Sequence, residues 1–214
     1  MRAARSLKRR VNVREPKRRF IIYTEGKKTE PDYFRAVRRT SLGALIDIEI
    51  VEAAGVPATI AKKASADANS RSRRGRARSS FDETDEVWAV FDRDEHPNVP
   101  EAIEQCRVAG VGTAFSDPCF EIWLILHHGE FDRPDNRHDV QSECAKRCEG
   151  YDPKSGKTAN CDVLMPLVEA AEKRAEVQLA RRIEEGDPPS APFTTVFKLT
   201  RSIRQAHGLH KDAS

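Results

Sequence analysis

The segment RRFIIYTEGKKTEPDYF, residues 18–34, decides the fold of this chain. Residues 20–23 are apolar or aromatic and are typical of a buried strand. The segment PDYFRAVRRT, residues 31–40, is predicted to be a helix because proline is favoured near a first helical turn. Glu25 and Gly26 stand between the two. Because ligands of open α/β sheets lie beyond the carboxyl ends of the strands, this position suits a binding site.

The alternation of strand and helix continues along the chain. Further strands are predicted over residues 46–51, 86–91 and 111–115, and further helices over residues 57–68 and 100–109. Later helices are predicted over residues 119–128, 139–148, 161–185 and 195–207. We therefore expect an α/β fold, with a mostly parallel sheet flanked by helices and a helical C-terminal part. The expected organisation is a basic flexible tail (1–18), an α/β catalytic core (19–128) and a helical extension packed on it (129–214).

Charge and cysteine usage limit the class of protein. Residues 1–19 carry nine Lys or Arg and one acid, so the other 195 residues carry −5 of the net charge of +3. Such a tail is typical of contact with nucleic acid or acidic surfaces. Five cysteines without compact spacing indicate free thiols. With no long apolar run and no export signal, we expect a cytoplasmic protein without a membrane span.

Acidic side chains follow three of the predicted strands. Glu25 follows the first strand, Asp92 and Asp94 follow EVWAVF (residues 86–91), and Asp117 follows VGTAF. Two aspartates two residues apart point to one side of an extended chain and repel each other. A hard divalent cation relieves this repulsion, so the pattern predicts a site for Mg²⁺ or Mn²⁺.

Residues near this edge have two open interpretations each. Glu121 and Asp117 are either metal ligands or structural, since an acid in a first helical turn also favours the helix dipole. Lys27 and Lys28 contact a scissile phosphate or are solvated. His127 and His128 either place favourable charge at a helix C-terminus or take part in catalysis, and the first role is the one expected.

Four segments together resemble the RloB family, which occurs in prokaryotic restriction and phage-defence loci. They are IIYTEGKKTEPDYF, VWAVFDRDEH, FSDPCFEIWLILHH and SAPFTTVFKLTRSI, and the resemblance covers roughly residues 18–205. The family is similar to Toprim domains, in which a strand-end glutamate and a later D-x-D bind Mg²⁺ during phosphodiester chemistry. The resemblance thus implies a Toprim-like fold, a nuclease activity, an antiviral role and an ATPase partner. Whether the protein forms a homo-oligomer is left open.

The resemblance implies a role for particular residues. Glu25 takes the place of the Toprim glutamate, as a metal ligand or general acid or base, and Asp92 and Asp94 are metal ligands. Lys27 is a candidate catalytic cation on a different ground, its position directly after Glu25 and Gly26. The tyrosine-bearing domain of topoisomerases has no counterpart here, so strand passage is unsupported.

Basic residues outside this edge are predicted to hold the nucleic-acid backbone. The predicted contacts are Lys28, Arg71, Arg73, Arg74, Arg76, Arg78, Lys154 and Lys157. The segment NSRSRRGRARSS, residues 69–80, is expected to be a flexible loop because it lacks large apolar residues. GYDPKSGKT, residues 150–158, does not fit a P-loop because five residues separate its glycines.

Two alternatives to a nuclease remain at this stage. His138, Cys144, Cys148 and Cys161 are a candidate zinc set, although only one cysteine pair has the usual spacing. A non-catalytic subunit of a defence complex, which binds nucleic acid or a partner protein through its basic segments, is the other. Such a module predicts salt-sensitive binding that survives chelation, whereas an enzyme predicts turnover that does not.

Overall fold

A computed structural model of the chain describes residues 18–41, 46–52, 54–75, 85–93, 96, 98–154, 156–186 and 188–211, apart from the side chains of residues 73–75 and 208–211. Within these residues there are five strands and seven α-helices. The elements are β1 (Arg18–Thr24), α1 (Thr29–Thr40), β2 (Ile46–Val51), α2 (Pro57–Gly75), β3 (Glu86–Asp92), α3 (Val99–Val108), β4 (Gly112–Asp117), α4 (Glu121–His128), α5 (Arg137–Arg147), a 3₁₀ helix (Cys161–Leu167), α6 (Val168–Glu185), β5 (Phe193–Thr194) and α7 (Val196–Lys211). The predicted tail lies outside the described residues except for Arg18, which begins β1.

The strands form one sheet in the order β2-β1-β3-β4-β5. Strands β1 to β4 are parallel, and β5 pairs antiparallel with the end of β4. The α/β fold class with a mostly parallel sheet and a helical C-terminal part is therefore confirmed.

The chain path reverses direction between β1 and β3. From β1 the chain crosses to β2 at one edge of the sheet, and from β2 it returns past β1 to β3 and continues to β4. With right-handed crossovers, α1 lies on one face of the sheet and α2 and α3 on the other. The crevice at such a reversal, beyond the carboxyl ends of β1 and β3, is where ligands bind in open α/β sheets.

The sheet is buried between its helical layers. Phe20, Ile21 and Ile22 of β1 are fully buried, as are Val90 and Phe91 of β3. Central parallel strands covered on both faces are apolar at consecutive positions. This rigid centre fixes the residues that follow β1 and β3.

The contact of α1 with α4 is aromatic and corrects the expectation for His127. Tyr33 of α1 packs edge-on against Phe120 and Trp123, and its hydroxyl lies 3.1 Å from His127 Nε2. His127 is buried, and burial lowers its pKa to about 4. It is therefore a neutral core residue, not a charge at the helix end. The pKa of His128 is also lowered, first by partial burial and then by nearby arginines.

Helix α2 is longer than predicted, so part of the expected basic loop is helical. Arg71 Nε donates to Asp67 Oδ1 at 2.8 Å, one turn away, and Arg71 Nη1 donates to Asp85 Oδ2 at 2.7 Å. Ala68 still packs against the core. These contacts allow the helix to continue to Gly75 without large apolar residues; residues 76–80 of the expected loop lie outside the described residues.

The C-terminal part differs from the prediction in two places. The single helix expected over 161–185 divides into the 3₁₀ helix and α6, and Pro166, which has no backbone N–H to donate, lies within the 3₁₀ segment. The two-residue strand β5 was not predicted. It pairs Ser116 with Thr194 and Asp117 with Phe193, which extends β4 beyond its expected end at residue 115.

Two general predictions can be compared with the described residues. All five cysteines are buried free thiols, as predicted. No described helix has the length and apolar character to cross a membrane.

Candidate active site

Two acidic residues meet where the chain path reverses. Glu25 directly follows β1 and Asp92 is the last residue of the neighbouring strand β3. The backbone N–H of Glu25 donates to Val90 O at 3.2 Å, and the backbone N–H of Asp92 donates to Glu25 Oε2 at 3.4 Å. The parallel pairing of β1 and β3 thus brings together two carboxylates that are 67 positions apart. This juxtaposition is the one expected from the sequence.

His96 is a neighbour of Glu25 that sequence reasoning did not select. Its Nε2 atom lies 3.1 Å from Glu25 Oε1, and both side chains are partly exposed. The residues between β3 and His96 include Asp94, which lies outside the described residues. The contact holds one oxygen of Glu25 while the other faces the end of β3.

Glu30 is a third carboxylate at the site, and sequence reasoning missed it. It lies in the first turn of α1 with only 6% of its surface exposed. Its Oε1 accepts a hydrogen bond from the Gly26 backbone N–H at 3.2 Å. A Cβ atom at Gly26 would lie 2.2 Å from Glu30 Oε2, so the glycine is needed for this close approach. The signal was the glutamate five residues after Glu25, but an acid in a first helical turn is common for dipole reasons alone.

Glu121 is the fourth carboxylate, and it begins α4. Only 4% of its surface is exposed, and its Oε1 accepts a hydrogen bond from the Tyr151 hydroxyl at 2.5 Å. Tyr151, which follows α5, was not identified from the sequence because it lies 30 positions away. Glu121 was one of the candidate metal ligands, and the fold brings it to the same cavity as Glu25 and Asp92.

Burial, and then the close placement of the carboxylates, raise the pKa values of Asp92 and Glu30. Loss of contact with water raises the pKa of Asp92 well above its ordinary value, and the neighbouring Glu30, Glu121 and Glu25 raise it further. Burial raises the pKa of Glu30 to about 7, and Glu121 and Glu25 contribute in the same direction. Asp92 keeps part of its surface toward the cavity, but protein surrounds it on its other sides. Negative charge is therefore unfavourable here unless a cation accompanies it.

The carboxylates line a cavity of about 380 Å³ that cationic side chains also line. Lys27 and Lys28 come from the connection between β1 and α1. Arg137 begins α5, and Lys154 and Lys157 follow that helix. The four predicted lysines, Lys27, Lys28, Lys154 and Lys157, thus all lie at the predicted site, whereas Arg137 was not identified from the sequence.

The donor chemistry of the cavity fits a hard divalent cation, because carboxylate oxygens are the ligands that Mg²⁺ prefers. Among the described residues, however, no three His, Cys, Asp or Glu side chains are grouped closely enough to hold a metal ion. The four carboxylates thus surround the cavity without converging on one point. The same finding applies to the alternative zinc set, of which His138 is exposed while Cys144, Cys148 and Cys161 are buried.

The remaining candidate residues lie elsewhere or are not described. Asp117 is buried on β4, and its Oδ2 lies 2.6 Å from Arg93 Nε; it does not line the cavity. Burial raises the pKa of Asp117, which Arg93 partly offsets. Arg71 lies on α2 between two carboxylates. The backbone of Arg73 and Arg74 is helical, and Arg76 and Arg78 lie outside the described residues.

Comparison with known proteins identifies the family. The model of the RloB-like protein family matches residues 20–203, which include all four cavity carboxylates. Searches of curated proteins and of solved structures gave no significant match. Because the matched residues make up most of the chain, the chain belongs to the RloB-like protein family.

Proposed function

We propose that the chain is a metal-dependent hydrolase that cleaves phosphodiester bonds in nucleic acid. The observation that carries the proposal is the cavity at the reversal of the chain path, which four carboxylates and five cationic side chains line together. Carboxylates suit a divalent cation, and lysine and arginine suit phosphate. A substrate that brings phosphate to a bound metal ion satisfies both sets of charges.

The carboxylates of the cavity have different roles in the proposed binding of a metal ion. Glu25 and Asp92 would hold Mg²⁺ or Mn²⁺ together with a substrate phosphate and water, since Mg²⁺ is usually bound through one or two carboxylates. Asp94 stays a predicted ligand, and Glu121 adds negative charge to the same cavity. A bound ion would orient a water molecule and stabilise the leaving oxygen. The strand ends fix Glu25 and Asp92, and the hydrogen bond from Tyr151 orients Glu121. Glu25 and Asp92 are thus oxygen ligands held in fixed positions, and the substrate and water would supply the others.

The lysines that follow Glu25 act on the substrate. Lys27 and Lys28 line the cavity next to the carboxylates. An ammonium group there pairs with the scissile phosphate and stabilises negative charge as it develops. Glu30, held against the Gly26 backbone, keeps the connection that carries both lysines in place.

The resemblance of the family to Toprim domains supports the same reaction. Its occurrence in restriction and phage-defence loci leads us to propose a cytoplasmic protein that acts in antiviral defence with an ATPase partner. A non-catalytic subunit that only binds nucleic acid uses the same cations without needing the carboxylates. A cleavage assay with and without metal separates the two.

The test is cleavage of plasmid, single-stranded DNA and transfer RNA with Mg²⁺, Mn²⁺ or EDTA. We expect cutting of at least one substrate with metal and none with EDTA. Asp92→Asn should lower the rate by about a hundredfold or more, because it removes a ligand needed in the transition state.

Asp162→Asn is the matched control, because Asp162 is an exposed aspartate whose only described ion pair is with Arg39. It should cut as the wild type does. Cutting by Asp92→Asn at the wild-type rate, or binding without any cutting once the ATPase partner is supplied, contradicts the proposed hydrolase.

A further inference from the structure

The cations of the cavity come from two separate parts of the chain. Lys27 and Lys28 follow β1, whereas Arg137, Lys154 and Lys157 come from α5 and the residues after it. A single phosphate bound beside the carboxylates is enough to pair with Lys27 and Lys28. The second group is held together by contacts of its own, which the proposed hydrolysis does not use.

Gln141 organises this second group. It is a buried residue of α5 with 5% of its surface exposed. With its amide oxygen facing the two cations, it accepts hydrogen bonds from Arg137 Nε at 3.2 Å and from Lys157 Nζ at 2.9 Å. This orientation follows from chemistry, because both neighbours are donors. The neutral amide adds no negative charge beside the two cations, whereas a glutamate in its place would.

The backbone at Lys157 is held in an uncommon conformation. Lys157 has a φ of 55°, in the left-handed region that non-glycine residues rarely adopt, and Gly156 before it has a φ of 110°. Thr29 Oγ1 donates to Lys157 O at 2.8 Å, and the Lys157 N–H donates to Asp152 O at 2.9 Å. Residues in such conformations persist where their surroundings fix them and are frequent at functional sites.

The two cation groups meet at Gly156. A Cβ atom there would lie 2.4 Å from Lys28 Nζ, so the ammonium group of Lys28 rests directly against the glycine backbone. The bond from Thr29 ties the same two segments together. The cationic wall is therefore continuous from Lys28, beside the carboxylates, to Lys157 and Arg137.

We propose that Arg137 and Lys157, positioned by Gln141, bind a second phosphate of the nucleic-acid backbone, next to the one held at the carboxylates. This inference rests on the proposed function for the identity of the substrate. It assigns the substrate class as a chain with at least two adjacent phosphodiesters, with the flanking phosphate held by the wall that α5 and Lys157 form. Arg137 and Lys157 contact the substrate, and Gln141 is a positioning residue.

The test measures binding without cleavage, in EDTA at low ionic strength. The probe is a labelled single-stranded oligonucleotide, as DNA and as RNA, in which one internal phosphate at a time is a neutral methylphosphonate. Next to the position held by Lys27 and Lys28, we expect a second position at which the neutral group weakens binding to the wild type about tenfold, as loss of a charge-assisted contact does. Lys157→Ala and Arg137→Ala should weaken binding of the unmodified probe and lose sensitivity at that position.

Two variants of Gln141 test its positioning role. Gln141→Glu keeps the shape but pairs with both cations, so it should weaken binding and lose the same positional sensitivity. Gln141→Asn keeps the neutral carbonyl acceptor and should keep part of that sensitivity. Lys146→Ala is the matched control, because Lys146 is an exposed lysine of α5 that does not line the cavity. A thermal melt of each variant checks that it is folded.

The outcomes separate this inference from the proposed hydrolysis. Loss of positional sensitivity in Lys157→Ala and Arg137→Ala supports the second phosphate site even if no condition gives cutting. Wild-type sensitivity in both variants overturns it even if the protein cuts nucleic acid. Sensitivity only to removal of a 5′-terminal phosphate, or displacement of the probe by inorganic phosphate alone, also overturns it, because the site then takes a terminal or free phosphate.

Discussion

At the scale of single residues, Glu30 and Gly26 are in close contact, and the reason for the glycine is seen only in the folded chain. The carboxylate of Glu30 accepts a bond from the Gly26 N–H and occupies the space of a side chain at that position. The sequence shows a glycine after Glu25, and glycine is common in tight turns for conformational reasons alone. The structure gives a different reason, which is the close approach of a buried carboxylate.

Gly26→Ala should therefore damage the site. The added methyl group must displace the Glu30 carboxylate and, with it, the segment that carries Lys27 and Lys28. We expect turnover with Mg²⁺ to fall by about tenfold to a hundredfold, as misplacement of about 1 Å does at active sites. Gly186→Ala is the control, because a Cβ atom there has no atom of the described residues within 4 Å and the backbone is extended. Wild-type turnover in Gly26→Ala would show that the position of Glu30 has no part in the reaction.

At the scale of elements, the packing of α1 on α4 depends on a hydrogen-bonded chain inside the core. His127 Nδ1 lies 2.8 Å from Trp123 O, a carbonyl that only accepts, so Nδ1 carries the proton. Nε2 is then the acceptor for the Tyr33 hydroxyl of α1. The neutral imidazole satisfies both partners, whereas a protonated one cannot accept from Tyr33.

This arrangement predicts a contribution of His127 to acid sensitivity. Its pKa is about 4 in the folded chain and ordinarily 6.5, so the unfolded chain binds the proton first as the pH falls. Stability is therefore fully present above pH 6.5 and decreases as the pH falls toward 4, by about 3 kcal/mol in all. Urea unfolding of the wild type and His127→Gln between pH 7 and 4 measures this, and the variant should lose less stability over that range.

The control for this series is His138→Gln, because His138 is an exposed histidine. It should keep the pH dependence of the wild type. Equal acid sensitivity in His127→Gln and the wild type would mean that His127 is not the group that takes up the proton.

At the scale of the whole molecule, the charges of the cavity come from elements spread over the chain. Glu25 and Glu30 come from around the start of α1, Asp92 from β3, Glu121 from α4, and the second cation group from α5 onward. The proposed metal ion would link the ends of β1 and β3 through Glu25 and Asp92. It would also lower the carboxylate repulsion that adds to the effect of burial on the pKa values of Asp92 and Glu30. Binding to the folded state alone raises stability by mass action.

Mg²⁺ should therefore raise the melting temperature of the wild type. At a hundredfold excess over the dissociation constant we expect a rise of about 5–10 °C for a chain of this size. Differential scanning calorimetry with Mg²⁺, with EDTA, and with KCl of equal ionic strength gives the comparison. Asp92→Asn should show a smaller rise with Mg²⁺. An equal rise with KCl, or in the variant, would indicate general screening of charge and no metal site.

The sequence by itself determined the fold class and identified Glu25 and Asp92 as site residues among the four cavity carboxylates, while it left Glu121 open between ligand and structural residue. Short apolar runs predict the buried strands. A carboxylate that follows such a run therefore lies at the end of a strand, and in a parallel sheet these ends meet at one edge. Glu25 and Asp92 could be predicted as neighbours for this reason. Burial patterns and turn residues are local properties, so the strands β1 to β4 and most helices were predicted to within a few residues.

Only the tertiary structure decided the rest of the site. Glu30, Tyr151, Arg137 and Gln141 reach the cavity because the chain path brings α1, α4 and α5 to one crevice, and contacts such as that of Thr29 with Lys157 join positions 128 apart. The short strand β5 and the long α2 depend on partners in the same way. Local patterns carry no information about such partners, because the contact forms only once the sheet order and the packing of the helices have fixed which distant residues meet.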